Sequence, residues 1–389
     1  MGFSVGVGEA GIRTSGGPDL VLIASDRPAS AAATFTTNRM RAAPVLLAEE
    51  ALAAAGARGR AIVVNAGCAN AGTGSAGLED ARTVVAAAAA HLGCEPWEVL
   101  PASTGLIGSR LPMPAIVAAI PTVRLRRSRA ASGRAARAIM TTDTRPKQHS
   151  VSARLPDGRL LTVGGIAKGA GMIHPQMATM LAFLTTDVPI EPQALRALLR
   201  PAVERTFNQV SVDGDTSTND AVMVLANGAI GGRTLDADDE RVFADALETV
   251  CRALAIAIAA DGEGARHLIE VTVNGAADDA IARAVARTVA SSSLVKTAVH
   301  GADPNWGRIA AAAGRSGVLL DPDRMRICIG EVPVFDGGPL AFDERRARRI
   351  LRGTTVPLLI DLSDGSGSGT AWGCDLSAEY VAINSEYTT

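Results

Sequence analysis

The residues most able to do chemistry lie in one segment, residues 168–180, which reads KGAGMIHPQMATM. This segment places the hydroxyl of Thr179 between the small residue Ala178 and an apolar run that begins at Met180. Such a hydroxyl can attack the preceding carbonyl, and hydrolysis of the resulting ester leaves a free α-amino group beside the hydroxyl. That amine, with a reference pKa of about 7.7 to 8.0, can then act as a general base. The segment has what self-cleavage between Ala178 and Thr179 and an N-terminal threonine nucleophile require. Threonine is also a common strand residue, so the alternative at this point is an ordinary strand start.

A second segment could stabilise the negative charge that develops during acyl transfer. Ser103-Thr104-Gly105 follows a predicted strand at residues 98–101 and offers a hydroxyl and an unhindered backbone N–H. A developing oxyanion needs donors of this kind at a fixed position. Thr104 and Gly105 are therefore the predicted oxyanion hole.

Lysine usage points to a third chemical group. Only three of the 38 basic residues are lysines, namely Lys147, Lys168 and Lys296. A lysine kept in an arginine-rich chain can mark a place where a compact ammonium fits and a planar guanidinium does not, although drift is the alternative. Lys168 also lies within the glycine-rich stretch at residues 164–171, but because Gly169 follows it the phosphate-loop pattern is not met, and a nucleotide-binding module is not predicted.

A layered α/β scaffold is predicted to bring these groups together. Short apolar runs alternate with helical stretches through the first 180 residues, and the run that follows Thr179 is typical of a buried central strand. Three glycine-rich segments, at residues 65–74, 101–105 and 164–171, are predicted turns. The predicted strands are residues 19–25, 61–65, 98–101 and 180–184 and one from residue 267, and the predicted helices are residues 44–55, 78–92, 191–207, 239–260 and 276–290.

Two domains are predicted within the 389 residues. The first, residues 1–265, would contain the cleavage site, and the second, residues 266–389, would be a smaller α/β domain. The last ten residues carry both tyrosines and little charge, so we expect this tail to dock and to return to the active site.

Composition excludes several classes of function. A formal net charge of −2 argues against a nucleic-acid or anionic-membrane surface. The five cysteines are singly spaced, which predicts neither a disulfide framework nor a zinc knuckle and favours a cytoplasmic setting. We expect no leader and no membrane span, since no apolar run approaches about 18 residues. His300 beside residues 303–306 is a structural turn in this interpretation, and no metal is predicted.

Eight motifs occur in a single order along nearly the whole chain, and together they carry a family resemblance. They are FTTN at 35–38, STGLIG at 103–108, IMTTDT at 139–144, KGAGMIHPQMATML at 168–181, DGDTSTND at 213–220, DGEG at 261–264, DPNWGR at 303–308 and NSEYTT at 384–389. In these motifs the chain resembles the ornithine acetyltransferase family, the bifunctional glutamate N-acetyltransferases of arginine biosynthesis.

The resemblance implies a fold and an assembly. The expected fold is a layered α-β-β-α sandwich of the self-processing ornithine acetyltransferase/aminopeptidase type, with a smaller C-terminal α/β domain. A precursor would be cut into an α chain, residues 1–178, and a β chain starting at Thr179, and these would remain together as an α2β2 heterotetramer.

The resemblance also implies the reaction and the site. The acetyl group of N2-acetylornithine would pass to Thr179 and then to glutamate, without a cofactor, and acetyl-CoA stays open as a second donor. Lys168 and Glu263 would supply charges opposite to those of the amino-acid substrates. The implied substrate-binding residues are Thr141, Lys168, Thr179, Glu263, Asn384 and Thr389.

Three alternatives remain open at the level of sequence. Self-processing aminopeptidases and amidases share the architecture, usually with a serine nucleophile, and a binding protein could keep the fold without maturing. Gln176, His267 and His300 depart from the family pattern, which leaves room for a specialised-metabolism relative with a different acceptor.

Overall fold

The protein is described here by a computed structural model that covers residues 1–174 and 180–386. The predicted cleavage site at Ala178 and Thr179, and the predicted binding residue Thr389, lie outside the described residues. The strands are β1 Phe3–Gly8, β2 Leu20–Phe35, β3 Arg58–Cys68, β4 Val99–Leu106, β5 Lys147–Arg154, β6 Leu160–Lys168, β7 Leu181–Thr186, β8 Val210–Ser211, β9 Ala221–Ala226, β10 Leu268–Ala276, β11 Arg326–Ile329, β12 Val332–Asp336, β13 Thr355–Asp361 and β14 Gly367–Cys374. The helices are α1 Ala43–Ala54, α2 Gly74–Leu92, α3 Met113–Ala119, α4 Arg129–Ala138, α5 Pro192–Arg205, α6 Ala237–Ala259, α7 Asp279–Ala290, α8 Ser293–His300, α9 Trp306–Gly314, α10 Glu344–Leu351 and α11 Ala378–Glu386.

Eight of the described strands form a large sheet in the order β4-β3-β2-β9-β7-β6-β5, with β1 added beside β2. β2 is long enough to change partners: its first half pairs with β1, and its second half pairs with β9. β7 lies inside the sheet, antiparallel to β6 and parallel to β9. Its run of buried apolar residues follows from this position, because a central strand covered on both faces has no polar side.

Helices cover both faces of the large sheet. The apolar side chains of α5 and α6 pack on the face formed by alternate residues of β6, β7 and β9. The other face packs against α1 and α4. α6 begins at a capping box in which Asp236 accepts from the backbone N–H of Asp239, so the long core helix has a fixed start. These layers confirm the predicted α/β class.

A second sheet has the order β12-β11-β13-β10-β14-β8. It is built mainly from residues 268–374, and α7 and α9 pack on it around a separate apolar core. The short strand β8, Val210–Ser211, pairs with β14 at the edge of this sheet. A strand from the first part of the chain is therefore hydrogen-bonded into the second sheet. The predicted domain boundary near residue 265 falls between α6 and β10 and stays a prediction.

The predicted strands and helices are present. Most of their ends differ by at most five residues, but the strand predicted at residues 19–25 is β2, which continues ten residues further to Phe35. The predicted turn at residues 101–105 is wrong, because this stretch is the C-terminal half of β4. Most of the predicted turn at residues 164–171 also lies in a strand, β6. Glycine at these positions serves close packing between strands: a Cβ on Gly105 would lie 2.3 Å from the backbone of Gly67 on β3.

Across the part of the chain that the structure describes, every helix is too short or too polar to span a lipid bilayer. The five cysteines, all within the described ranges, are free thiols.

Candidate active site

One cavity collects most of the predicted site residues. It lies at the ends of β4 and β6, and it is also lined by residues of the loops that follow α4 and α6 and by one residue of α11. Each predicted residue within the described ranges lines it, whereas Ala178, Thr179 and Thr389 lie outside those ranges. The predicted residues that line the cavity are Thr104, Gly105, Thr141, Lys168, Glu263 and Asn384.

Lys168 ends β6 and is only 2% exposed. Among the described residues its ammonium donates to two hydroxyls, Thr141 Oγ1 at 2.7 Å and Thr104 Oγ1 at 3.3 Å. Burial lowers the pKa of Lys168 from the ordinary lysine value, although nearby carboxylates, chiefly that of Asp143, act in the opposite direction. A buried cation held by neutral hydroxyls is suited to receive the carboxylate of a ligand.

A buried ion network of Asp143, Lys147 and Asp261 lies next to Lys168. Asp143 Oδ1 accepts from Lys147 Nζ at 2.6 Å and from the backbone N–H of Gly169 at 2.7 Å. Asp143 Oδ2 accepts from the backbone N–H of Thr141 at 3.0 Å. One carboxylate therefore holds both Gly169, which follows Lys168 in the chain, and Thr141, whose hydroxyl accepts from Lys168 Nζ. Burial alone would raise the pKa of Asp143, but Lys168 and Lys147 outweigh it and hold the pKa below its usual value.

The same network reaches the loop after α6. Lys147 Nζ also donates to Asp261 Oδ2 at 2.6 Å, and Asp261 accepts from the backbone N–H of Thr144 at 3.1 Å. Asp261 begins the DGEG motif, so the ion network joins the loop of Thr141 to the loop that carries Glu263.

Thr104 and Gly105 lie in β4, which runs parallel to β3. The Thr104 hydroxyl accepts from Lys168, which leaves its own proton available as a donor toward the cavity. Gly105 has a φ of 128°, and its neighbour Gly67 leaves no room for a side chain. The backbone conformation and the close contact with β3 therefore require glycine at this position, and the backbone beside Thr104 stays open to a ligand.

Glu263 supplies the opposite charge. Its backbone N–H donates to Ala170 O at 2.9 Å, and its Oε2 accepts from Asn384 Nδ2 of α11 at 2.8 Å. A Cβ on Gly171 would lie 2.4 Å from this carboxylate, which explains a glycine at that position. The C-terminal helix is thus tied to the cavity through Asn384.

The cavity can hold a ligand that carries both charges and can polarise a carbonyl. Lys168 and Glu263 line the same cavity with opposite charges, and the hydroxyls of Thr104, in β4, and Thr141, in the loop after α4, both lie at the Lys168 ammonium. Within the described ranges, no group of three or more histidine, cysteine and acidic side chains is placed to bind a metal ion.

Sequence reasoning missed several residues of this site. Asp143 belongs to a sequence motif and Lys147 is one of three lysines, but neither pattern predicts a role for them. Asn219, which lines the cavity, donates to Ala69 O at 2.7 Å and Ser103 O at 2.9 Å and so holds the ends of β3 and β4 together. Lysine rarity was the one signal that could have identified Lys147.

Comparison with known proteins agrees with this site. The ArgJ family model matches residues 4–389. The arginine biosynthesis bifunctional protein ArgJ of Dehalococcoides mccartyi is 49% identical over 393 residues, covering 100% of this chain and 96% of the relative. The protein of the same name from Thermus thermophilus is 50% identical over 388 residues, covering 100% of this chain and 98% of the relative.

A solved structure gives the same assignment over half of the chain. The crystal structure of arginine biosynthesis bifunctional protein argJ from Bacillus halodurans has 44% sequence identity and a TM-score of 0.52, covering 53% of this chain and 98% of that chain. A full-length family match together with relatives of about half-identical sequence leaves one assignment, and the chain belongs to the ArgJ family.

Proposed function

We propose that the chain is a glutamate N-acetyltransferase of arginine biosynthesis that moves the acetyl group of N2-acetylornithine to glutamate through an acetyl-Thr179 intermediate. The observation that carries the proposal is the single cavity in which Lys168, Glu263 and Thr104 come together in a chain of the ArgJ family. Each of these groups matches one part of an N-acetylamino acid.

The substrate's charges fit the cavity's charges. N2-acetylornithine carries an α-carboxylate and a side-chain ammonium, and we assign the carboxylate to Lys168 and the ammonium to Glu263. A charge-assisted hydrogen bond in a buried site is worth roughly 1.5 to 3 kcal/mol, so the two contacts would orient the acetyl group between them. Thr104 and Gly105 would then donate to the acetyl oxygen as it becomes negative.

The nucleophile would arise by self-cleavage. Thr179 Oγ attacks the Ala178 carbonyl carbon, the C–N bond breaks as the C–O bond forms, and the hydroxyl proton ends on the released amine. Water then hydrolyses the ester, which gives the carboxyl of Ala178 and restores the Thr179 hydroxyl. The new α-amino group serves as the base for the same hydroxyl.

The large sheet supports the proposal that the two pieces stay together after the cut. β7 and β9 follow the cut in sequence, whereas β6 and β2 precede it, and β7 pairs with β6 while β9 pairs with β2. The pieces could separate only by breaking the centre of the sheet. We also propose that two such units pair into an α2β2 assembly and that the enzyme is cytoplasmic. The proposed reaction needs no cofactor, and acetyl-CoA is proposed as a second acetyl donor.

Acyl transfer in place of hydrolysis needs a site that excludes water. The exchange of one amide for another is nearly thermoneutral, so it gives no driving force that competes with hydrolysis. An acetyl-enzyme open to water would therefore be hydrolysed to acetate. The hydrogen bond between Asn384 and Glu263 brings α11 to the cavity, and we propose that this C-terminal helix supplies the cover.

Intact mass spectrometry before and after incubation with N-acetylornithine tests the function. We expect two pieces, residues 1–178 and 179–389, and an acetyl adduct on the second. Thr179→Ala should give one uncut chain without an adduct. With glutamate added, N-acetylglutamate should appear; release of acetate regardless of acceptor would instead identify a hydrolase of the aminopeptidase type.

A further inference from the structure

A buried carboxylate outside the cavity, that of Asp375, holds the loop that follows Glu263. Asp375 is 1% exposed and lies directly after β14. Its Oδ1 accepts from the backbone N–H groups of Arg266 and His267, each at 2.7 Å, and its Oδ2 lies 2.7 Å from His300 Nδ1. Because a carboxylate only accepts hydrogen bonds, Nδ1 of His300 carries the proton in this contact.

The loop held by Asp375 is also packed tightly against the segment that leads into α11. The two backbone donors to Asp375 lie three and four residues after Glu263. Between them and Glu263, Gly264 O accepts from Ser377 Oγ at 2.7 Å. Gly264 has a φ of 70°, and a Cβ at this position would lie 2.6 Å from the backbone nitrogen of Tyr380. The path of this loop and the start of α11 are therefore fixed together.

Helix α8 holds the other side of Asp375. Lys296 and His300 are four residues apart and so share one face of this helix. Lys296 is 3% exposed, and its ammonium donates to the backbone carbonyl of Cys374, while its own carbonyl accepts from Leu376 N at 3.4 Å. Among the described residues, His300 is the one whose side chain donates to Asp375.

The two segments joined by Asp375 carry the groups that face one end of the cavity. Glu263 precedes the held loop, and Asn384, which donates to the Glu263 carboxylate, lies on α11. A buried carboxylate that loses a donor is unfavourable, and the structure can relieve this by letting Asp375 move toward water. Such a movement would release the loop and change where the Glu263 carboxylate points.

We propose that Asp375 and His300 are positioning residues for substrate recognition: they hold the loop and the start of α11 so that the Glu263 carboxylate faces the side-chain ammonium of N2-acetylornithine. The proposal rests on the proposed function, since it needs Glu263 to bind that ammonium. Asp375 and His300 do not line the cavity, so both act through Glu263.

His300→Leu tests the proposal, with His300→Asn as the conservative variant. The Nδ2 of asparagine can take the place of the imidazole Nδ1 and still donate to Asp375, whereas leucine has no donor. We expect His300→Leu to slow acetyl-enzyme formation from N2-acetylornithine about fivefold, less than the roughly tenfold loss expected when the Glu263 charge itself is removed. The rate from N-acetylglutamate, which lacks the ammonium, should change less, and His300→Asn should restore both rates. Rapid-quench mass spectrometry measures them.

His91→Leu is the matched control. His91 also lies in the last turn of a helix, α2, and its Nε2 contacts Val123 O at 3.0 Å, but it does not line the cavity. Loss of this imidazole should leave the ratio of the two donor rates at the wild-type value.

A double-mutant cycle separates positioning from a general structural role. If His300 acts through Glu263, adding His300→Leu to Glu263→Gln should slow acetyl-enzyme formation from N2-acetylornithine by little more than Glu263→Gln alone does. The proposal is overturned if His300→Leu slows both donors equally, or if its effect multiplies in full with that of Glu263→Gln.

Ser377→Ala decides the matter if His300→Leu does not fold. This variant removes the hydroxyl that holds Gly264 O but leaves Asp375 and His300 paired, and the same selective loss with N2-acetylornithine is expected. A wild-type donor ratio in Ser377→Ala would then overturn the proposal. Failure of this inference differs from failure of the function: wild-type protein that forms no acetyl adduct on residues 179–389 removes the proposed function, and the positioning role with it.

Discussion

Lys168 and Lys147 are buried to the same degree, each 2% exposed, but their ammonium groups have different surroundings. Lys147 donates to two carboxylates, those of Asp143 and Asp261, both at 2.6 Å. Lys168 donates to two hydroxyls and faces a cavity. The charge of Lys147 is compensated by two direct ion pairs, whereas no described carboxylate accepts a hydrogen bond from Lys168, which is where the proposed function puts the substrate carboxylate.

This difference shows how a buried charged residue that stabilises the fold can be distinguished from one that binds a ligand. A buried ion is costly unless partners compensate it, so a fully paired ion reports on folding and a partly paired ion beside a cavity reports on function. Burial or rarity alone does not distinguish the two, because all three lysines of the chain are buried, Lys296 included.

Lys147→Met should have the largest effect, and it should fall on stability. The substitution leaves Asp143 and Asp261 buried without their shared cation, and removal of one partner from a buried pair costs about 3 to 5 kcal/mol. Measured by urea unfolding in a Thr179→Ala background, where the chain stays single, the midpoint should fall strongly. Lys168→Met in the same background is the control, and equal midpoints for the two variants would contradict the comparison.

Lys168→Met should have the next largest effect, and it should fall on activity. Loss of the substrate carboxylate's partner removes a charged hydrogen bond of about 2 to 3 kcal/mol, which corresponds to a loss of roughly 30- to 150-fold in kcat/KM for N-acetylornithine. Stability should fall by less than it does in Lys147→Met, because Asp143, the carboxylate that acts most strongly on Lys168, keeps its ion pair with Lys147. Normal kinetics in this variant would remove Lys168 from the site.

Much of the site could be predicted from sequence because its chemistry lies in a few contiguous motifs. The family resemblance predicts one site from five separate segments, which contribute Thr104, Thr141, Lys168, Glu263 and Asn384. The cavity they share is what the structure adds.

The contacts behind the site could not be predicted, because they depend on distances between segments far apart in sequence. The pairing of Lys147 with Asp261 joins residues 114 apart, and no local pattern encodes it. The turn predicted at residues 101–105 failed for the related reason that glycine also serves close contact between strands, which only the position of Gly67 reveals. The role of Thr179 stays a prediction.

Glu263→Gln should have a smaller and selective effect. The amide can still accept from Asn384, so α11 should remain in place, but the charge that faces the substrate ammonium is lost. Acetyl-enzyme formation from N2-acetylornithine should slow about tenfold, equal to roughly 1.4 kcal/mol. N-acetylglutamate lacks a side-chain ammonium, so its rate as the acetyl donor should change less. Rapid-quench mass spectrometry gives both rates, and equal losses would show that Glu263 does not read the ammonium.

The pH dependence of Lys168 should give the smallest effect, in opposite directions for binding and stability. Burial lowers the pKa of Lys168 below the ordinary 10.5. As pH rises through that lowered pKa, the site loses its cation and KM for N-acetylornithine should rise. Over the same window, up to about 10.5, the unfolded chain still holds the proton that the folded chain has lost, so the free energy of unfolding should increase with pH.

Lys168→Met is the matched control, because it cannot titrate at this position. Its KM should be high and flat where the wild-type KM rises, and its unfolding midpoint, again measured in the Thr179→Ala background, should lack the part of the pH slope that Lys168 contributes. Parallel slopes for the two proteins would mean that another group titrates in this window. The buried cation beside the cavity would then stay charged throughout, held as firmly as Lys147 is by its two carboxylates.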